Sequence, residues 1–109
     1  MEPYSVRESA LKETILAVQR AALAAVEPGA AVRRHVHLHG DLLTVDGCAY
    51  DLAAVERVWV VGGGKAATAM VAALYGILGD RLAGGLAITK YAHIDASLNV
   101  GPVAVSYTH

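Results

Sequence analysis

Val58-Trp59-Val60-Val61-Gly62-Gly63-Gly64-Lys65-Ala66-Ala67 decides the fold. Its first four residues form a continuous apolar run, the pattern of a strand covered on both faces. Three glycines break the run. The stretch 66–78 that follows is rich in Ala, Leu and Met, which favour helix. Strand, turn and helix therefore succeed one another here. Gly79 ends the helix near Asp80. Gly85-Leu86-Ala87-Ile88-Thr89 reads as a second, parallel strand, residues 90–101 as a polar loop, and Pro102-Val103-Ala104-Val105 as a third strand. This order implies a right-handed βαβ crossover and an open α/β sheet. Ligands of such sheets bind beyond the carboxyl ends of the strands, where 62–65 and 89–93 fall. Stretch 58–78 contains one charge, Lys65, and its length alone permits a membrane span. The internal glycines and the switch from β-branched to Ala-rich sequence favour a buried αβ core instead.

Working outward, Ser5 and Glu8 have capping-box spacing and predict a helix from near Val6. Leu11, Ile15, Val18, Ala22 and Val26 form one apolar stripe on it, and Glu8 with Lys12 forms an i,i+4 pair elsewhere. Pro28-Gly29 ends the helix, and 30–35 suits a second short one. Leu42-Leu43-Thr44-Val45 and Cys48-Ala49-Tyr50 are β-prone runs joined by Asp46-Gly47, a pair suited to a type I′ hairpin turn. Asp51 then caps a short helical turn through Glu56. The expected architecture is α/β: a partial Rossmann-like open parallel sheet preceded by an amino-terminal helix and a β-hairpin. It divides into a helical lead-in (1–40), a hairpin with a short helix (41–57) and the start of the α/β sheet (58–109).

The 109 residues allow one domain, and 55% hydrophobic with 17% charged residues excludes a disordered chain. Net charge is −1, so no basic excess points to nucleic acid or an anionic membrane. The one cysteine, Cys48, has no internal partner, and the opening residues lack the apolar core of a signal peptide. The expected location is cytoplasmic.

The glycines let backbone approach a ligand closely. A helix start offers free N–H groups and the positive end of the helix dipole. Lys65 adds a full charge at the same place, and so isolated a lysine in an apolar run would be costly to bury idle. Together these specify an anion site for phosphate or carboxylate. A Walker loop is excluded, because Trp59 and Ala66 stand where it needs Gly and Ser or Thr. Gly62, Gly64 and Ala67 do fit the dinucleotide fingerprint, which keeps open an NAD(P)-binding module of an oxidoreductase such as a hydroxypyruvate reductase. Against it, the second strand ends in Lys90, where an NAD enzyme wants an acid.

The run 60–67, then Gly79-Asp80-Arg81-Leu82, Gly84-Gly85-Leu86, and Thr89-Lys90-Tyr91 with His93, resembles the glycerate 2-kinase family. Upstream, the stretch 21–26, Val32-Arg33-Arg34-His35 and Leu43-Thr44-Val45 are similar to its opening segment, so the likeness covers most of 15–93. The resemblance implies an amino-terminal fragment of a two-domain enzyme. That enzyme would use ATP and Mg²⁺ to phosphorylate D-glycerate at its 2-hydroxyl. It implies that Lys65 is catalytic and that Gly62, Gly63, Gly64, Lys90 and His93 bind substrate or phosphate; no metal ligand is identified. Gly63 replaces a usual alanine, Tyr91-Ala92-His93 departs from Tyr-Gly-His, and Val105 to His109 approaches a later Ala-Gly-His-Pro segment.

Other residues are discounted. His35, His37 and His39 alternate as strand ligands might, but no acid or cysteine partner has ligand spacing, so they read as surface histidines. Trp59 reads as core, and Asp80-Arg81 as a helix-end cap. A fragment of this kind is expected to be inactive alone and to self-associate through its open sheet edge and apolar faces.

Overall fold

The computed structural model describes residues 3–90 and 97–108. The order of elements is α1 (Pro3–Ala25), α2 (Pro28–His35), β1 (Val36–His39), β2 (Leu42–Val45), β3 (Cys48–Asp51), β4 (Val58–Gly63), α3 (Ala67–Leu78), β5 (Leu82–Lys90) and β6 (Val103–Thr108). Short 3₁₀ turns, Leu52–Ala54 and Gly79–Arg81, precede β4 and β5. The chain is α/β. β1, β2 and β3 make an antiparallel sheet in that order, and β4, β5 and β6 a parallel one.

The local signals act largely as expected. Asp46 and Gly47 take φ of 48° and 84° at the hairpin turn, the left-handed pair that a type I′ turn requires. Asp51 caps the first 3₁₀ turn, its Oδ1 accepting from the Ala53 N–H at 2.9 Å, but that turn stops at Ala54. Gly79 closes α3 at φ 56°.

Pro28 does not act as a terminator. It opens α2, because proline suits the first helical position, where no N–H is needed. The Glu27 carboxylate caps that helix, accepting from the N–H groups of Gly29 at 2.8 Å and Ala30 at 2.7 Å. α1 already begins at Pro3, so Ser5 lies inside it rather than at its cap. β1 adds a strand within the stretch expected to be helical, paired residue for residue with β2. Asp80-Arg81 is not a helix-end cap either: Arg81 reaches back 40 residues to bond Asp41.

The core lies between α3 and one face of the parallel sheet. Leu52, Ala67, Val71, Leu78, Leu82, Ala87 and Val103 are buried there, with Leu38 and Leu43 of the hairpin packed against them. The opposite face of the parallel sheet is uncovered. Trp59, expected in the core, is 61% exposed and Val61 81%. The α1 stripe is also open: Leu11, Ile15 and Val18 are exposed, and so is Val26 in the turn that follows the helix. α1 leads away from the body, and the molecule measures 70 × 35 × 18 Å.

Close approach of β4 and β5 fixes one residue. Gly85 pairs with Val60, and a Cβ at Gly85 would overlap the Val60 carbonyl oxygen. The backbone cannot yield there without breaking the ladder. Gly85→Ala is therefore expected to destabilise the chain by about 3 kcal/mol or more, the upper end of overpacking effects. Urea unfolding measures this, and an unchanged midpoint would contradict the register.

The backbone bonds to Glu27, chiefly that from Gly29 and then that from Ala30, hold its carboxyl below the ordinary glutamate value, with Arg33 and Arg34 adding smaller pulls. A pKa depressed by folding gives stability that is present above the ordinary value and lost as pH falls through the folded one. Melting temperature should therefore fall more steeply in this acid window in the parent than in Glu27→Gln. Equal slopes would show that the cap does not titrate with folding.

Candidate functional site

The site is built where β4 ends. Gly62 and Gly63 continue the strand, so the chain turns at Gly64 alone, which has φ 112°. The Gly64 N–H donates to the Ile88 carbonyl of β5 at 2.9 Å, which anchors the turn to the neighbouring strand. The Ala67 N–H donates back to the Gly64 carbonyl at 3.2 Å, and the first bond of the α3 ladder runs from Met70 to Ala66 at 3.0 Å. Ala66, the residue capping α3, contributes no side-chain hydrogen bond. The amino end of a twelve-residue helix, with its unpaired N–H groups and positive dipole end, therefore opens at the carboxyl end of the sheet.

Lys65 sits in that turn and is exposed. The cost of burying an idle lysine therefore does not arise: the turn lifts it out of the apolar run that surrounds it in sequence. It makes no ion pair among the described residues. Added Cβ atoms at Gly63 and Gly64 would meet nothing within 4 Å, so the space over the turn is open. Lys90 is the exposed last residue of β5, two positions beyond the carbonyl that holds Gly64. The structure thus brings Gly62, Gly63, Gly64, Lys65 and Lys90 to one end of the sheet. His93 lies outside the described residues.

Thr89, quoted above only as part of a motif, occupies the same end. It is 2% exposed on the face that α3 covers, and its hydroxyl has no hydrogen-bond partner among the described residues. A buried hydroxyl left unpaired costs about 1–3 kcal/mol, so it marks a place where the surroundings are incomplete. The β5 alternation, with Ala87 and Thr89 both inward, was the available signal.

The histidines do not assemble. His35 Nδ1 lies 2.6 Å from Asp46 Oδ1, and His37 Nε2 3.1 Å from the Arg34 carbonyl. Among the described residues no group of three or more His, Cys, Asp or Glu is placed to hold a metal ion. A cleft of about 160 Å³ lined by Leu52, Val55, Glu56, Arg57, Val58 and Arg81 lies at the amino ends of β4 and β5, the wrong end for ligands of a parallel sheet. Among the described residues no single helix is long and apolar enough to cross a membrane; α1 and α2 meet that test only as a pair bent by 47°.

Residues 14–106 match a domain of unknown function, DUF4147. The chain is 38% identical over 78 residues to a glycerate kinase of Danio rerio, a match covering 72% of this chain and 15% of that protein. Its fold is similar to the crystal structure of the PH0495 protein from Pyrococcus horikoshii OT3, with a TM-score of 0.68 and 28% identity, over 87% of this chain and 20% of that one. The chain therefore spans a fifth or less of the length of each of these two relatives.

The geometry separates the two residues of the turn. Lys65→Ala removes an exposed side chain that has no ion pair among the described residues, and should leave stability within about 0.5 kcal/mol. Gly64→Ala imposes a Cβ on left-handed backbone and should cost roughly 1–2 kcal/mol. Thermal melts of both variants check this, and the reverse order would mean that Lys65 is a packing residue.

Proposed function

The chain belongs to the DUF4147 family and is related to glycerate kinase, and from that premise we propose that it forms the phosphate-handling part of an ATP-dependent glycerate 2-kinase. The observation that carries the proposal is the exposed Lys65, without an ion pair among the described residues, at the Gly64 turn beside the amino end of α3. In the proposed reaction the 2-hydroxyl oxygen of D-glycerate attacks the γ-phosphorus of ATP. The bond to the β-phosphate oxygen breaks, the hydroxyl proton is lost, and ADP leaves. Phosphoryl transfer of this kind is catalysed chiefly by positioning and by neutralising charge. Lys65 supplies the mobile positive charge, and the α3 N–H groups supply fixed donors. Gly63 and Gly64 leave the approach clear, and Lys90 adds a second cation from β5. Mg²⁺, which the family resemblance implies, would neutralise phosphate charge when bound, and we assign its ligands largely to parts of the relatives that this chain does not span. Lys90 at the end of β5 also argues against an NAD-specific form of the dehydrogenase alternative, which wants an acid there for the ribose. The proposed setting is the cytoplasm, where the exposed Cys48 would stay reduced.

One wall of a cleft does not make a kinase, because the reacting groups must be closed off from water and aligned. The 109-residue chain with ATP, Mg²⁺ and D-glycerate should yield no 2-phosphoglycerate. A chimera in which residues 14–106 replace the matching segment of the Danio rerio glycerate kinase should yield it. Lys65→Ala in that chimera should lower turnover roughly 100- to 1000-fold, or about 2.7–4 kcal/mol, the usual loss for one charged transition-state contact. Near-normal turnover would remove Lys65 from the mechanism.

A further inference from the structure

The inward row of β5 ends in a polar group. On the face that α3 covers, Ala87 lies beside Gly62 of β4, and a Cβ at Gly62 would lie 3.8 Å from the Cβ of Ala67, the first residue of α3. The helix therefore starts over this pair. The next inward position along β5 is Thr89, about 6.6 Å further toward the carboxyl end at roughly 3.3 Å per residue. β4 offers it no partner, because Gly63 is the last residue to pair and the chain turns at Gly64. Thr89 thus stands at the amino tip of α3, beside the turn that carries Lys65.

The groups gathered there lack acceptors. The Ala67 N–H reaches the Gly64 carbonyl and the Met70 N–H the Ala66 carbonyl, whereas those of Thr68 and Ala69 make no backbone bond among the described residues. Lys65 has no ion pair among them either. The Thr89 hydroxyl, which can donate, is buried without a partner. Residues 62–69, 86–90 and 105–108 contain no carboxylate. A helix start by itself says only that an anion is welcome. The orphaned hydroxyl is a separate observation, since buried polar groups are nearly always paired and an exception calls for a missing partner. An oxyanion satisfies the whole set.

We propose that Thr89 is a ligand-binding residue of this site, its hydroxyl donating to a phosphate oxygen held by the α3 N–H groups and Lys65. The inference rests on the phosphate reading of the turn and extends it to a side chain of β5. Solvent does not touch the hydroxyl in the free chain, so binding moves the turn, which the Gly64 N–H ties to the Ile88 carbonyl.

Thr89→Val removes the hydroxyl and keeps the branched shape. In the free chain it should raise the melting temperature by roughly 4 °C or more, because a buried unpaired polar group disappears. Pyrophosphate binding, followed by amide shifts from Gly64 to Thr68 at about 0.15 M salt, should weaken roughly tenfold or more. Thr89→Ser keeps the hydroxyl and should bind like the parent. A variant that is more stable yet binds more weakly is a pattern that a packing role does not produce. Equal affinity in Thr89→Val and the parent would overturn the assignment and leave the turn and Lys65 as the phosphate site. An equal loss in the Ser and Val variants, or a Val variant no more stable than the parent, would also overturn it. A parent in which pyrophosphate moves no amide of the turn would remove the phosphate reading itself, and this inference with it.

Discussion

β4 and β5 run parallel, and where Val60 faces Gly85 their backbones leave no room for a Cβ. That close approach fixes the register of the whole parallel sheet. Three pairs further on it sets Gly63 opposite Ile88, and the ladder ends with the Gly64 N–H on the Ile88 carbonyl. The same bond decides where the chain leaves the sheet, and so where α3 begins and where Lys65 stands. The site is thus a consequence of strand pairing. A slip of one residue would turn every β5 side chain to the other face and carry Thr89 out of the core.

The turn chemistry was legible in the sequence because it is local. Asp46-Gly47, Gly79 and the glycine run act through backbone φ values that few other residues accept. Strand and helix identity in 58–90 was legible too, since composition changes sharply at the glycines. What escaped depends on distance. β1 reads as alternating histidines and forms a strand only because β2 pairs with it. Arg81 finds Asp41 across 40 residues, which no local pattern encodes. Pro28 is ambiguous until the carboxylate of Glu27 turns a stop signal into a helix start.

Burial was the least legible property. The apolar run 58–61 suggests a strand covered on both faces, and the α1 stripe suggests a helix docked on a core. Apolar periodicity reports only that a face needs a cover; it does not say which polypeptide provides it. In this chain α3 covers one face of the sheet, while the other face and the α1 stripe remain open. The same reasoning misjudged Lys65, whose apolar neighbours in sequence are not its neighbours in space. Its exposure leaves the ammonium on the surface beside the amino end of α3, within reach of an anion bound there.

The central claim is that the turn from Gly64 into α3 holds a phosphate group. Titrating pyrophosphate into the ¹⁵N-labelled chain at about 0.15 M salt, where the Debye length is about 8 Å and diffuse attraction is screened, tests it directly. The account predicts saturable amide shifts concentrated at Gly64, Lys65, Ala66, Ala67 and Thr68, and weakened in Lys65→Ala. Shifts spread over Arg33, Arg34 and Arg57 instead, with the glycine turn silent, would contradict it.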